Sequence, residues 1–205
     1  MTINVTAIGS VDKDRVVYRD GASANEIICT TGDLGGAYMG LQLLEREKEV
    51  FKSQPGVQPD LSGYDYILER QLKPEARADI IRLLKEKELV PTSMIDVSDG
   101  LSSDVMHLCH QSELGCKIFQ DKIPIHENTE KMARQMDIDP VTAALNGGDD
   151  YELIFTIPTD DYEKIREYEE IIPIGHMTSK DFGCNMVSTS DHLIELKAQG
   201  WPKKK

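Results

Sequence analysis

The sequence predicts an α+β fold, a mixed or antiparallel sheet packed with helices. Strand-like and helix-like segments are interspersed without the strict alternation of a doubly wound sheet, and several strand segments suit antiparallel pairing. The chain has 205 residues, 40% of them apolar, enough for a packed core and too many for a disordered chain. No internal repeat at a fixed period and no low-complexity segment breaks it up.

Taken in order, Thr2-Ile3-Asn4-Val5-Thr6-Ala7-Ile8-Gly9 alternates apolar and polar residues, which predicts a half-buried strand ending in a glycine turn. Residues 26–30 predict a second strand, running into Thr31-Gly32-Asp33-Leu34-Gly35-Gly36 and then a helix whose Ala37, Leu41 and Leu44 recur at helical spacing. A polar linker covers residues 53–63. A helix follows over 64–71, ended by Pro74, and a stronger one over 75–88 with Ala76, Ile80, Leu83, Leu84 and Leu89 on one face. Residues 93–97 predict a short buried strand and 102–112 a helix stopped by Gly115. A strand at 117–119, helices at 127–135 and 140–145, and the clearest strand, 151–157, come next. The remainder predicts a helix over 159–168, strands near 171–174 and 185–188, and an amphipathic piece at 193–196.

The formal net charge is −13. That balance argues against nucleic acid, whose partners present basic surfaces. It leaves phosphate substrates open, because Mg²⁺ can stand between carboxylates and phosphates. The four cysteines, Cys29, Cys109, Cys116 and Cys184, are scattered without a C-x-x-C pair, a spacing that suggests neither zinc nor a disulfide framework and fits reduced thiols in a cytoplasmic protein. No apolar run approaches the roughly 18 residues that span a bilayer, so no membrane association is expected.

Three segments carry candidate chemistry. In Ile95-Asp96-Val97-Ser98-Asp99-Gly100-Leu101-Ser102-Ser103-Asp104, carboxylates and hydroxyls gather where a strand meets a helix start. Gly100 permits a sharp turn, which could set Asp96 and Asp99 around one Mg²⁺, a cation that wants hard oxygen ligands. Capping by Asp99 or Ser102, with Asp104 suiting the helix dipole, explains the same spacing. In Gly147-Gly148-Asp149-Asp150-Tyr151-Glu152, acids sit at the mouth of a strand, as a site or as a plain polar turn. The loop Thr31-Gly32-Asp33-Leu34-Gly35-Gly36 could cradle an anion or simply connect strand to helix, its aspartate a cap; it lacks the G-K-[ST] of a P-loop. His107 and His110 lack a third ligand at zinc spacing. Arg19 could grip phosphate, and Trp201, the only tryptophan, could stack on an aromatic ligand.

Together these segments resemble the thiamine-monophosphate kinase family of the aminoimidazole ribonucleotide synthetase-like superfamily. The matching stretches are Val17-Tyr18-Arg19-Asp20-Gly21-Ala22, Thr31-Gly32-Asp33-Leu34-Gly35, Ile95-Asp96-Val97-Ser98-Asp99-Gly100-Leu101 and Gly147-Gly148-Asp149-Asp150-Tyr151-Glu152-Leu153. They occur in family order over nearly the whole chain. Lys73-Pro74-Glu75-Ala76-Arg77 is a degraded version of a family Arg-Pro-x-Pro-Arg run.

The resemblance implies a two-domain, homodimeric enzyme. Residues 1–25 would be the last strand and linker of a truncated N-terminal domain, and residues 26–205 the C-terminal α/β domain. It implies ATP-dependent phosphorylation of thiamine monophosphate to thiamine diphosphate, with Mg²⁺ as cofactor and in-line transfer that needs no protein nucleophile. Asp96 and Asp99 would be Mg²⁺ ligands, Arg19 and Ser98 ATP contacts, and Asp149 and Trp201 substrate contacts. Asp149 stands where the family usually has glutamate, which shortens the carboxylate by one methylene. The missing domain would carry further acidic Mg²⁺ ligands, so the chain alone is expected to be inactive. The alternatives are another ATP-using enzyme of the superfamily and a non-catalytic binding module.

Overall fold

In a computed structural model that describes residues 2–54 and 56–198, the chain forms a seven-stranded sheet and six α-helices. In chain order these are β1 (Ile27–Thr31), α1 (Gly36–Ser53), α2 (Asp65–Leu72), α3 (Ala78–Glu86), β2 (Ser93–Asp96), α4 (Leu101–Gln111), β3 (Gly115–Phe119), α5 (Glu127–Gln135), α6 (Pro140–Asn146), β4 (Leu153–Ile157), β5 (Ile171–Thr178), β6 (Cys184–Val187) and β7 (Leu193–Glu195). The strand order is β2-β4-β1-β5-β3-β6-β7. Only the β3–β6 pair is parallel; the other five are antiparallel. The expected α+β class holds.

Successive strand residues point to opposite faces, so one strand feeds two cores. Ile28 and Ile154 pack with Ile95, Ile118 and Ile174 under α4 and α6. Their neighbours Cys29 and Phe155 face the other way, against Ile80 and Leu84 of α3. A third cluster, including Met39, Leu43, Ile67, Met132 and Ala143, joins α1, α2, α5 and α6. No helix among the described residues is long and apolar enough to cross a membrane.

Several expectations need correction. Residues 2–9 form no strand and are exposed throughout. Alternation supplies a face, but a strand also needs a neighbour for its N–H and C=O groups, and none of the seven strands runs beside this segment. The buried stripe of α1 is Gly36, Ala37, Met39, Gly40 and Leu43, while Leu41 is exposed. The stripe turns to admit α2: a Cβ at Gly40 would overlap the Ile67 carbonyl. Gly115 does not stop α4 but opens β3; the chain leaves the helix through Ser112 and Glu113, the latter at φ 54°. Residues 159–164 make a 3-10 turn rather than an α-helix, and the amphipathic piece near 193 is the edge strand β7.

Candidate functional site

The β2–α4 connection is tightly packed against α6. Gly100 sits at φ 104°, and a Cβ there would meet the Leu145 carbonyl oxygen at 2.7 Å. Neither Asp99 nor Ser102 caps α4; Gly100 is the N-cap and no side chain bonds the first turn. Asp104, buried at 2% exposure, instead points back along the turn. Its Oδ2 accepts hydrogen bonds from the backbone N–H of Ser98 and of Asp99, both at 3.0 Å. Burial pushes its carboxyl up to about 6, against the lowering effect of those two bonds, and the nearby Asp99 and Asp96 add to the rise.

Asp99 is left exposed at the tip, free of any capping duty. Ligand atoms of Asp99, Asp104 and His107 lie within 4.8 Å of one another. Asp96, half-buried at the end of β2, stands outside that group. Asp104 and His107 thus join Asp99 as near neighbours that the spacing argument did not pair with it. The two carboxylates offer oxygen ligands that suit a hard cation such as Mg²⁺, with the His107 imidazole beside them.

The second loop lies against the first. The backbone N–H of Asp149 donates to the Ser98 carbonyl at 3.0 Å, Tyr151 N–H to Val97 O at 2.9 Å, and Val97 N–H to Glu152 O at 2.7 Å. The residues of this loop alternate. Asp149 and Tyr151 face solvent, with the Tyr151 hydroxyl donating to Asp149 at 3.3 Å, whereas Asp150 and Glu152 are buried. Gly148 sits at φ 71°, where a Cβ would meet the Ser98 carbonyl oxygen at 2.5 Å. Gly148→Ala is therefore expected to cost about 2–4 kcal/mol, from the left-handed backbone and the overlap together. A urea unfolding midpoint close to that of the parent would show that the two loops are not held as described.

Asp150 and Glu152 organise what lies beneath. Asp150 accepts from the N–H of Gly35 at 2.8 Å and of Ala37 at 3.3 Å, closing the N-terminus of α1. Of the N–H groups that could have cradled a phosphate at the Thr31–Gly36 loop, that of Gly35 is taken by this carboxylate and those of Gly32 and Leu34 by the carbonyls of Glu170 and Pro124, and Asp33 is not the cap. Asp33 accepts instead from the Tyr66 hydroxyl at 2.6 Å. Glu152 gathers the Arg70 guanidinium at 2.9 Å, the Arg77 guanidinium at 2.7 Å and the Thr31 hydroxyl at 2.6 Å. Arg77, from the degraded Arg-Pro-x-Pro-Arg run, so has a structural role.

Burial pushes the Asp150 carboxyl up to about 7, against the pull of the two N–H groups and of Arg70. Arg70 sits 3.8 Å from Asp150 and 2.9 Å from Glu152, its closer partner. A carboxyl whose folded pKa lies above its unfolded one contributes stability that is complete below the unfolded pKa and lost as pH rises through the folded value. The window here runs from the ordinary carboxylate range up to about pH 7. Asp150→Asn, neutral at every pH, is expected to flatten the fall in unfolding free energy across that window. Urea midpoints measured against pH would remove Asp150 as the source if the two curves stayed parallel.

Arg19 stands exposed on the segment that borders β2, where the Tyr18 carbonyl accepts from Met94 N–H at 2.9 Å. Trp201 lies outside the described residues. The motif analysis missed Arg70 and Tyr66, on α2, because neither lies in a motif; the alternation in residues 149–152 could have separated buried Asp150 and Glu152 from exposed Asp149.

A mixed sheet flanked by helices, with an acidic strand-to-helix turn against a Gly-Gly-Asp-Asp loop, defines an α+β domain of the aminoimidazole ribonucleotide synthetase-like class. The hydrogenase maturation protein HypE in complex with ATP shares this fold, with a TM-score of 0.65 at 16% identity over 94% of this chain and 56% of that one. Within the class the chain is a relative of the thiamine-monophosphate kinases. It is 30% identical to that of Aquifex aeolicus over 169 residues, 82% of this chain and 51% of the relative. It is 27% identical to that of Bacillus subtilis over 206 residues, 98% of this chain and 59% of the relative. It is 33% identical to that of Escherichia coli K12 over 73% of this chain and 42% of the relative. The structure of AaThiL complexed with AMPPCP and TMP matches with a TM-score of 0.74 and 27% identity, covering 93% of this chain and 55% of that one. The chain thus spans about half the length of the curated relatives it matches. No family model matches it.

Proposed function

We propose that the chain is part of an ATP- and Mg²⁺-dependent kinase that converts thiamine monophosphate to thiamine diphosphate. The observation that carries this is the joint likeness, in sequence and fold over 93% of the chain, to a protein complexed with AMPPCP and TMP. The two adjoining loops support it, since the Asp149–Ser98 backbone bond sets Asp149 beside the turn that carries Ser98 and Asp99.

In this reading Asp96 and Asp99 hold Mg²⁺, Ser98 and Arg19 contact ATP, and Asp149 and Trp201 contact the thiamine substrate. When bound there, Mg²⁺ would neutralise charge on the transferring phosphates. A terminal phosphate oxygen of thiamine monophosphate attacks the γ-phosphorus of ATP. The bond from that phosphorus to the β–γ bridging oxygen breaks, and ADP leaves with the electron pair. No side chain becomes covalently attached. The chain's residues contribute by holding the reacting groups in line, and Asp104 contributes indirectly by fixing the backbone of Ser98 and Asp99.

The complete enzyme is proposed to be a homodimer in the cytoplasm, with a further domain joined through residues 1–25 that supplies more acidic ligands. The 205-residue chain alone is then expected to turn over little or no substrate, and robust conversion by it would refute this division of the site. The function itself is tested by isothermal titration of the complete enzyme with thiamine monophosphate, with and without Mg²⁺ and AMPPCP. Selective, Mg²⁺-dependent binding is expected; no binding would overturn the assignment.

A further inference from the structure

Three of the four cysteines, far apart in sequence, meet in the fold. The Sγ atoms of Cys109 near the end of α4, Cys116 on β3 and Cys184 on β6 all lie within 4.8 Å of one another. The parallel pairing of β3 with β6 sets Cys116 directly opposite Cys184, and α4 packs over β3. Cys109 and Cys116 are buried in the first core cluster, and Cys184 is half-buried at its margin. All three are free thiols. The fourth, Cys29, is buried on the other face of the sheet, in the second cluster.

A single buried cysteine behaves as a small apolar side chain, and Cys29 is such a case. Three on separate elements, converging on one point, make a donor set. Sulfurs held at about 2.3 Å from one cation lie roughly 3.8 Å apart in a tetrahedral site and 4.0 Å apart in a planar one. The observed spacing therefore needs little contraction. The group contains no carboxylate or carbonyl ligand, and soft thiolates select zinc or monovalent copper over magnesium. Cys184 is only partly buried, so the group lies near the surface on that side. Cys109 lies in the last turn of α4, where the negative end of the helix dipole favours a cation. The phosphate-transfer corner is at the opposite end of that helix, about 12 Å away at 1.5 Å per residue.

We propose that Cys109, Cys116 and Cys184 form a three-thiolate site for a thiophilic d10 cation, Zn²⁺ or Cu⁺, that ties α4, β3 and β6 together. Each thiol gives its proton to solvent as its sulfur–metal bond forms, so binding is tighter at higher pH and releases protons. The proposal is independent of the kinase reading.

The test is an anaerobic titration of the reduced chain with Cd²⁺, followed by sulfur-to-metal charge-transfer absorption, which oxygen ligands at the Asp99 corner do not produce. One Cd²⁺ per chain is expected, displaced by Zn²⁺ or by Cu⁺. Cys184→Ser, at a half-exposed position the fold can tolerate, is expected to weaken binding by about 100-fold or more, beyond what altering an outer-shell partner costs. Cys29→Ala is expected to leave the absorption unchanged. Absence of the band at stoichiometric Cd²⁺, displacement by neither ion, or an undiminished affinity in Cys184→Ser with native circular dichroism would each overturn the proposal.

Discussion

Replacing Glu152 by alanine is expected to destabilise the chain by about 3–5 kcal/mol, the usual cost of removing one partner from a buried ion pair. Glu152 is 2% exposed. Both of its oxygens are used: Oε1 by Arg70, and Oε2 by Arg77 and Thr31. Arg77 keeps Asp79 at 2.9 Å and Glu170 at 3.0 Å. Arg70 keeps only the backbone carbonyls of Asp33 at 2.9 Å and Asp150 at 3.3 Å, since its other carboxylate, that of Asp150, is 3.8 Å away and engaged at the start of α1. Most of the loss therefore falls on Arg70, whose side chain is 21% exposed. The desolvation argument adds a second expectation. Replacing Glu152, Arg70 and Arg77 together by methionine should cost less than Glu152→Ala, because neither guanidinium is left without its carboxylate, and Asp150, which loses Arg70 as a neighbour, can take up a proton. Urea unfolding of the two variants checks both statements. A Glu152→Ala chain within about 1 kcal/mol of the parent, in the range of an exposed ion pair, would sink the claim that this cluster holds the helices to the sheet.

That cluster also marks where the sequence stops being legible. The strand at 153–157 is written in local alternation, with Ile154 for one core and Phe155 for the other. The α4 start is written in Gly100, which only a sharp turn requires. The Glu152 contacts span 82 residues to Arg70 and 75 to Arg77, and no local pattern encodes which distant guanidinium will arrive. The same holds for Asp150, which closes a helix 113 residues away, and for the three cysteines. In α1, reading the apolar stripe from large side chains misplaced it, because the packing face is built on Gly36 and Gly40. The missing strand at residues 2–9 is the converse case, an adequate local pattern without a partner.

The candidate site was legible in composition more than in roles. Ser98, Asp99 and Asp149 do sit on two adjoining loops, and Asp96 ends the strand that leads into the first. Of the two readings open on spacing alone, capping by Asp99 or Ser102 is excluded, because Gly100 is the N-cap and Asp104 ties the turn, which leaves Asp99 exposed. Asp104 looked like a helix-dipole residue because its bonds run backwards to the preceding turn rather than into its own helix.

Asp99→Asn in the complete enzyme is accordingly expected to lower kcat by about 10²–10³-fold, the scale seen when one preorganised electrostatic contact to the transition state is lost. The expectation rests on the kinase reading and on Asp99 as a metal ligand. Its side chain is exposed and makes no capping bond, so stability should change by no more than about 0.5 kcal/mol, as for an ordinary surface substitution. Asp104→Asn makes the contrast. One amide oxygen can still accept, but the charge-assisted bonds to two N–H groups weaken, so thermal stability and turnover should fall together. If raising Mg²⁺ restores part of the Asp99→Asn activity and none of the Asp104→Asn stability, the two acids have separate duties, one holding the cation and the other holding the turn. Near-normal turnover of Asp99→Asn at limiting Mg²⁺ would remove Asp99 from the metal site.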